Sequence, residues 1–147
     1  MINRIINIVL LVSCASFAWM NMDPHFIPEW EEYSENPYNP HTITVISAIM
    51  NDMDLEPGDE VGIFDGDMCV GAGVLDGIIN PDDFNSYLSI KTSAQDDSDL
   101  ENVIPGFIEG NEIMFRFWDA SGQSEMVGIS MEYSDGPSTF SMLNTSY

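Results

Sequence analysis

Apolar residues fall on every second position over much of this chain. From Thr42 onward, Ile43, Val45 and Ile49 share one side of an expected strand with Ser47. Glu56-Pro57-Gly58-Asp59 has the make-up of a type II turn, the proline presetting φ and the glycine taking a positive one. Residues 60–64 form the next expected strand, and Asp65-Gly66-Asp67 reverses it into residues 68–75. Asp-Gly between two apolar runs is a strong short-range signal for a hairpin. Glycines at 62, 71 and 73 point to close backbone packing or bulges within these strands.

The pattern continues through residues 87–92 and then 112–118, where Ile113, Phe115 and Phe117 share the inward face. Ala120-Ser121-Gly122-Gln123 reads as the following turn. Val127, Ile129, Met131 and Tyr133 then line one face of a further strand, Asp135-Gly136 turns again, and residues 139–147 form the last. Helical periodicity with caps is sustained nowhere. About seven to eight short strands separated by turn signals predict an all-β fold, an antiparallel β-sandwich of Ig-like or jelly-roll-like kind, over residues 42–147.

The segment ahead of the sandwich has another character. Residues 19–41 are rich in proline, asparagine and aromatics, with Pro24, Pro28, Pro37 and Pro40 among Phe26, Trp30, Tyr33 and Tyr38. Prolines at that density oppose a helix and predict an extended arm whose aromatics pack across a sheet. Residues 1–18 have the build of a secretory signal peptide: Arg4 near the start, an apolar run from Ile5 to Val12, and small residues before a cleavage point after Ala18. Leu11-Val12-Ser13-Cys14 also resembles a lipobox, so lipid anchoring at Cys14 stands as the alternative. Both endings place the chain outside the cytoplasm, secreted or on the cell surface. Cleavage at Ala18 leaves Cys69 as the remaining cysteine, in an apolar run where a buried, unreactive thiol is expected.

Charge narrows the partners. The chain carries 25 Asp and Glu against 3 Lys and Arg, a formal net charge of −22. Such a surface repels phosphate backbones and anionic headgroups, so nucleic acid is excluded as a partner. Nothing in the sequence is long and apolar enough for a transmembrane segment. Lys91 and Arg116, the cations outside the signal segment, lie in expected strands and are read as structural ion pairs.

Three stretches carry a resemblance. Asn36-Pro37-Tyr38-Asn39-Pro40, then Gly58-Asp59-Glu60-Val61-Gly62-Ile63-Phe64-Asp65-Gly66-Asp67-Met68-Cys69-Val70-Gly71-Ala72, and later Phe115-Arg116-Phe117-Trp118-Asp119-Ala120, are similar to β-sandwich modules of secreted bacterial surface proteins exported by type IX-like systems. The likeness runs from about residue 26 onward. It implies the sandwich fold and a surface location, and it brings no assigned activity.

Candidate chemistry is sparse. Asp65 and Asp67 flank a turn glycine, but calcium takes about six to eight oxygens, and Cys69 and Val70 depart from the EF-hand loop. Asp96, Asp97, Asp99 and Glu101 form a denser oxygen cluster and are the better candidates for Ca²⁺. Trp30, Tyr33 and Trp118, with Tyr38 nearby, are candidates for stacking on sugar rings. For catalysis there is no HExxH pair, no Gly-x-Ser-x-Gly elbow and no phosphate-cradling glycine loop, and His25 and His41 both fall in the arm. The reading is a non-catalytic extracellular structural or adhesive module contacting surface proteins. A carbohydrate-binding module, stabilised by Ca²⁺, is the alternative.

Overall fold

The computed structural model describes residues 23–50, 53–129 and 131–147; the signal peptide, its Cys14 alternative and the first residues of the arm lie outside them. The fold is all-β, two sheets forming a sandwich. One has three strands, β6 (Leu88–Thr92), β1 (His41–Val45) and β9 (Asn144–Ser146), in the order β6-β1-β9. The other has four, in the order β5-β4-β7-β8: β4 (Glu60–Asp65), β5 (Met68–Val74), β7 (Met114–Asp119) and β8 (Ser124–Met126). β2 (Ile49–Met50) and β3 (Met53–Asp54) make a separate short ribbon. All ladders are antiparallel except β1–β9, which is parallel. Among the described residues no helix is long and apolar enough to cross a membrane.

The period-two pattern produces the core directly. His41, Ile43 and Val45 of β1, Ile90 and Thr92 of β6, and Phe115 and Phe117 of β7 are all buried, with less buried residues between them. These side chains meet Val61 and Ile63 of β4 in one cluster, where Phe107 stacks on Phe140 at 4.6 Å. The Asp65-Gly66-Asp67 hairpin forms as read, with Gly66 at φ 61°, and a bulge between Ile63 and Phe64 shifts the β4–β5 register.

β4 is buried on both faces because the arm covers the outer one. The arm is extended apart from one 3-10 turn, Glu29–Glu32. Phe26 and Trp30 are buried by it, and the Trp30 indole donates to the Val70 carbonyl at 3.0 Å. The buried Glu60 carboxylate accepts the backbone N–H of His25 at 2.8 Å and of Phe26 at 3.0 Å. Gly62 makes the docking possible, since a Cβ there would lie 2.9 Å from the Phe26 ring. Asp59, also buried, ties the 56–59 turn to the end of β7 by accepting from Glu56 N and Ala120 N.

Three expectations are corrected. The strand from Thr42 begins at His41, so this histidine belongs to the sheet and not to the arm, and it ends at Val45, leaving Ile49 61% exposed. Among the described residues of the alternating run at 127–133 there is no strand. β8 stops at Met126, Gly128 takes φ 70°, Val127 is exposed, and Ile129, Met131 and Tyr133 settle half-buried against the core. The last strand is reduced to Asn144–Ser146, preceded by Leu143 at φ 55°. At 127–133 the alternation is present, but among the described residues no neighbouring strand offers it a ladder.

A candidate interaction cleft beside strand β1

The sandwich is unequal at its two sides. β9 pairs with His41, Thr42 and Ile43 of β1. Thr44 and Val45 pair with β6. Next to this stretch lies a cleft of about 360 Å³. Its floor is Phe115 and Phe117, its far wall is Ile129, Met131 and Tyr133, and Ser146 and Tyr147 close the β9 end. The lining is predominantly apolar. The Tyr133 hydroxyl is buried there, and among the described residues it has no hydrogen-bond partner. Desolvation, with Glu112 adding repulsion, pushes its pKa up to about 12, so it stands as a protonated donor. A second cavity of about 590 Å³, bounded by Glu112, Ile113 and Thr139, adjoins the cleft through the same Ile129, Met131 and Tyr133.

Beside the cleft a buried polar chain holds β9 in place. The Ser141 N–H donates to His41 Nδ1 at 3.3 Å, which leaves the ring proton on Nε2. Nε2 donates to Ser146 Oγ at 3.0 Å, and the Ser146 hydroxyl passes its own proton to the Pro137 carbonyl at 2.6 Å. A serine nucleophile needs the opposite direction, with histidine accepting the hydroxyl proton. Both side chains are fully buried, and desolvation holds the His41 pKa below its ordinary value. The pair is a lock for the β1–β9 ladder.

The residues singled out in the sequence are scattered. Trp30 is buried in the core under the arm, Tyr33 is 60% exposed, and Trp118 is half-buried with His25 stacked on one face at 3.7 Å. His25 also pairs with Glu125 at 3.1 Å. In the acidic loop, Asp96 accepts from Ser98 N, and Asp99 accepts from Glu101 N and Asn102 Nδ2. The Asn102 amide, and then the Glu101 N–H, lower the Asp99 pKa. These are turn-forming bonds, and Asp97 and Glu101 are exposed. Among the described residues no three His, Cys, Asp or Glu side chains gather as metal ligands do.

Asp65 and Asp67 serve the fold. Asp65 accepts from Ile108 N and Asn111 Nδ2, and Asp67 pairs with Arg116 at 3.1 Å. Arg116 also reaches Glu125 at 3.4 Å and lies 4.0 Å over the Phe64 ring. The Cys69 thiol is buried and, through desolvation first, pushed up to about 12. Sequence reasoning missed the cleft, Tyr133 as an unpartnered donor, and Ser146. His41 was within reach, since it sits one period before Ile43 on the inward face. No family model matches the chain, and no curated protein or solved structure matches it.

Proposed function

We propose that this chain is a non-catalytic module, secreted or displayed on the cell surface, that makes protein contacts through the edge of its three-stranded sheet. The observation that supports it most directly is the apolar cleft of about 360 Å³ at this edge, lined by Phe115, Phe117, Ile129 and Met131. Backbone groups at such an edge template another strand, and natural sheets ordinarily cover or charge them. Export rests on the signal-like residues 1–18. The sugar-binding alternative has less behind it, because Trp30 is buried and Trp118 has one ring face against His25.

The test is photocrosslinking on producing cells. A benzophenone side chain in place of Thr44 is expected to trap a discrete partner species that the same group in place of the exposed Leu100 does not. Identical, empty patterns at the two positions would remove this function.

A further inference from the structure

We infer that the aromatic arm is a strap: residues 23–33 lift off the four-stranded sheet as a unit while the sandwich stays folded, and low salt favours the lifted state. The apolar packing is divided along that line. Phe26 of the arm clusters with Phe64 and Cys69 on the outer face, flanked by Ala72 and Trp118. The main core of the sandwich is a separate cluster and includes no residue of the arm. A segment with few buried apolar contacts of its own opens ahead of the whole fold.

Lifting leaves no buried polar group without a partner. Among the described residues, the donors to the buried Glu60 carboxylate are the His25 and Phe26 N–H groups, at 2.8 to 3.0 Å. Lifting exchanges them for water and returns the charge to solvent, which offsets much of what the bonds contribute. The Val70 carbonyl loses the Trp30 indole but keeps Ser93 N at 3.1 Å. His25 leaves Trp118, half-buried, and Glu125, exposed. The root of the strap is fixed at Tyr38, whose N–H donates to Ser93 Oγ at 2.9 Å and whose carbonyl accepts from Ala94 N at 2.8 Å. Residues 34–37 lie between, and the bonds of Ser34 and Asn36 run within the arm, so this stretch serves as the hinge.

Charge sets the direction of the salt effect. The strap carries Asp23, Glu29, Glu31 and Glu32, with Glu35 in the hinge and no Lys or Arg, on a chain of net charge −22. Arg116, which lies over Phe64 on the same face, is already held by Asp67 and Glu125. The docked arm is therefore repelled by the surface beneath it, and salt screens that repulsion. Glu29 and Glu31 already act on the thiol below: desolvation first, with these two carboxylates adding to it, pushes the Cys69 pKa up to about 12.

The test reads Cys69 as a reporter of lifting. The full chain is treated with N-ethylmaleimide, an uncharged reagent, at fixed pH, and the label is located at Cys69 by peptide mass. Each rate is divided by that of the urea-unfolded chain at the same salt, which gives an opening constant. Amide exchange in the β1–β6 ladder gives the opening constant of the sandwich itself. The Cys69 value is expected to exceed the ladder value by about a hundredfold. It should be about tenfold larger in about 0.01 M salt than in about 0.5 M. Glu60→Gln, which sets an amide NH₂ against one of the arm's donors, should raise it about tenfold at both salts and leave the ladder as in the parent. Glu29→Gln, Glu31→Gln and Glu32→Gln together, all at exposed positions, should cut the salt effect to about threefold.

Equal opening constants at Cys69 and in the ladder would mean that the arm leaves only with the whole fold, and would overturn the strap. Labelling that Glu60→Gln leaves unchanged overturns it as well, since the thiol would then be reached under a docked arm. A Cys69 rate indifferent to salt, or a salt effect that the three glutamines leave intact, overturns the control by charge.

Discussion

The two long sides of the sandwich are built on opposite terms. Where β5 meets β6 the sheets converge until backbone touches side chain: a Cβ on Gly71 would lie 2.9 Å from Thr92 Cγ2 and 3.0 Å from the Lys91 carbonyl. Ser93 N donates across the gap to the Val70 carbonyl at 3.1 Å, and the Trp30 indole reaches the same oxygen. At the other side β8 and β9 are three residues each, the sheets part, and half-buried Ile129, Met131 and Tyr133 fill the gap incompletely. The first side is sealed by small residues and shared hydrogen bonds. The second keeps an apolar floor and an unmatched donor. Close packing seals the first side, and the second is left with an apolar cleft.

The sharpest test of that contrast is a pair of truncations. Ile90→Ala, at the sealed side and 1% exposed, should cost about 2–5 kcal/mol in urea unfolding, the range for emptying a packed site. Ile129→Ala, on the cleft wall, should cost under about 1 kcal/mol, since part of that side chain is already solvated. Equal losses would break the comparison. Gly71→Val comes next. Overpacking costs about 1–3 kcal/mol, and the rigid neighbours here place it at the upper end.

Acid should act on the open side through His41. Its folded pKa is lowered, so below about 6.5 the unfolded chain takes a proton that the folded one refuses. The stability that neutral His41 contributes is whole above that pH and is lost as pH falls toward the folded value. Melting temperatures compared between pH 7.5 and 5.5 should drop more in the parent than in His41→Gln. An equal drop in the two would assign the effect to the carboxylates instead. The smallest expected effect is that of Tyr133→Phe alone. Removing a buried hydroxyl with no partner should leave stability unchanged or raise it by up to about 1 kcal/mol, read as a midpoint shift in urea. A clear loss would mean the hydroxyl is satisfied in the free protein, and the cleft would lose its polar anchor.

Much of the fold was legible in the residues themselves. Strand and turn signals placed β4, β5, β6 and β7, alternation gave the inward face of β7, and Asp65-Gly66-Asp67 placed the hairpin, because side-chain period and turn φ are local properties. Proline density set the arm's extended course for the same reason. Strand pairing is not local. Residues 127–133 carry an alternation like that of β7, yet a strand exists where a neighbour supplies a ladder, and among the described residues of that run none does. The site was less visible still. Residue type singled out Trp30 and the Asp96 to Glu101 loop, but not that Trp30 would bond Val70 or that Asp96 and Asp99 would accept turn bonds. The cleft beside β1, the direction of the His41–Ser146 bond and the buried Tyr133 hydroxyl each join residues far apart in the chain. Short-range preference determined which segments extend; long-range geometry decided which of them pair and what their side chains meet.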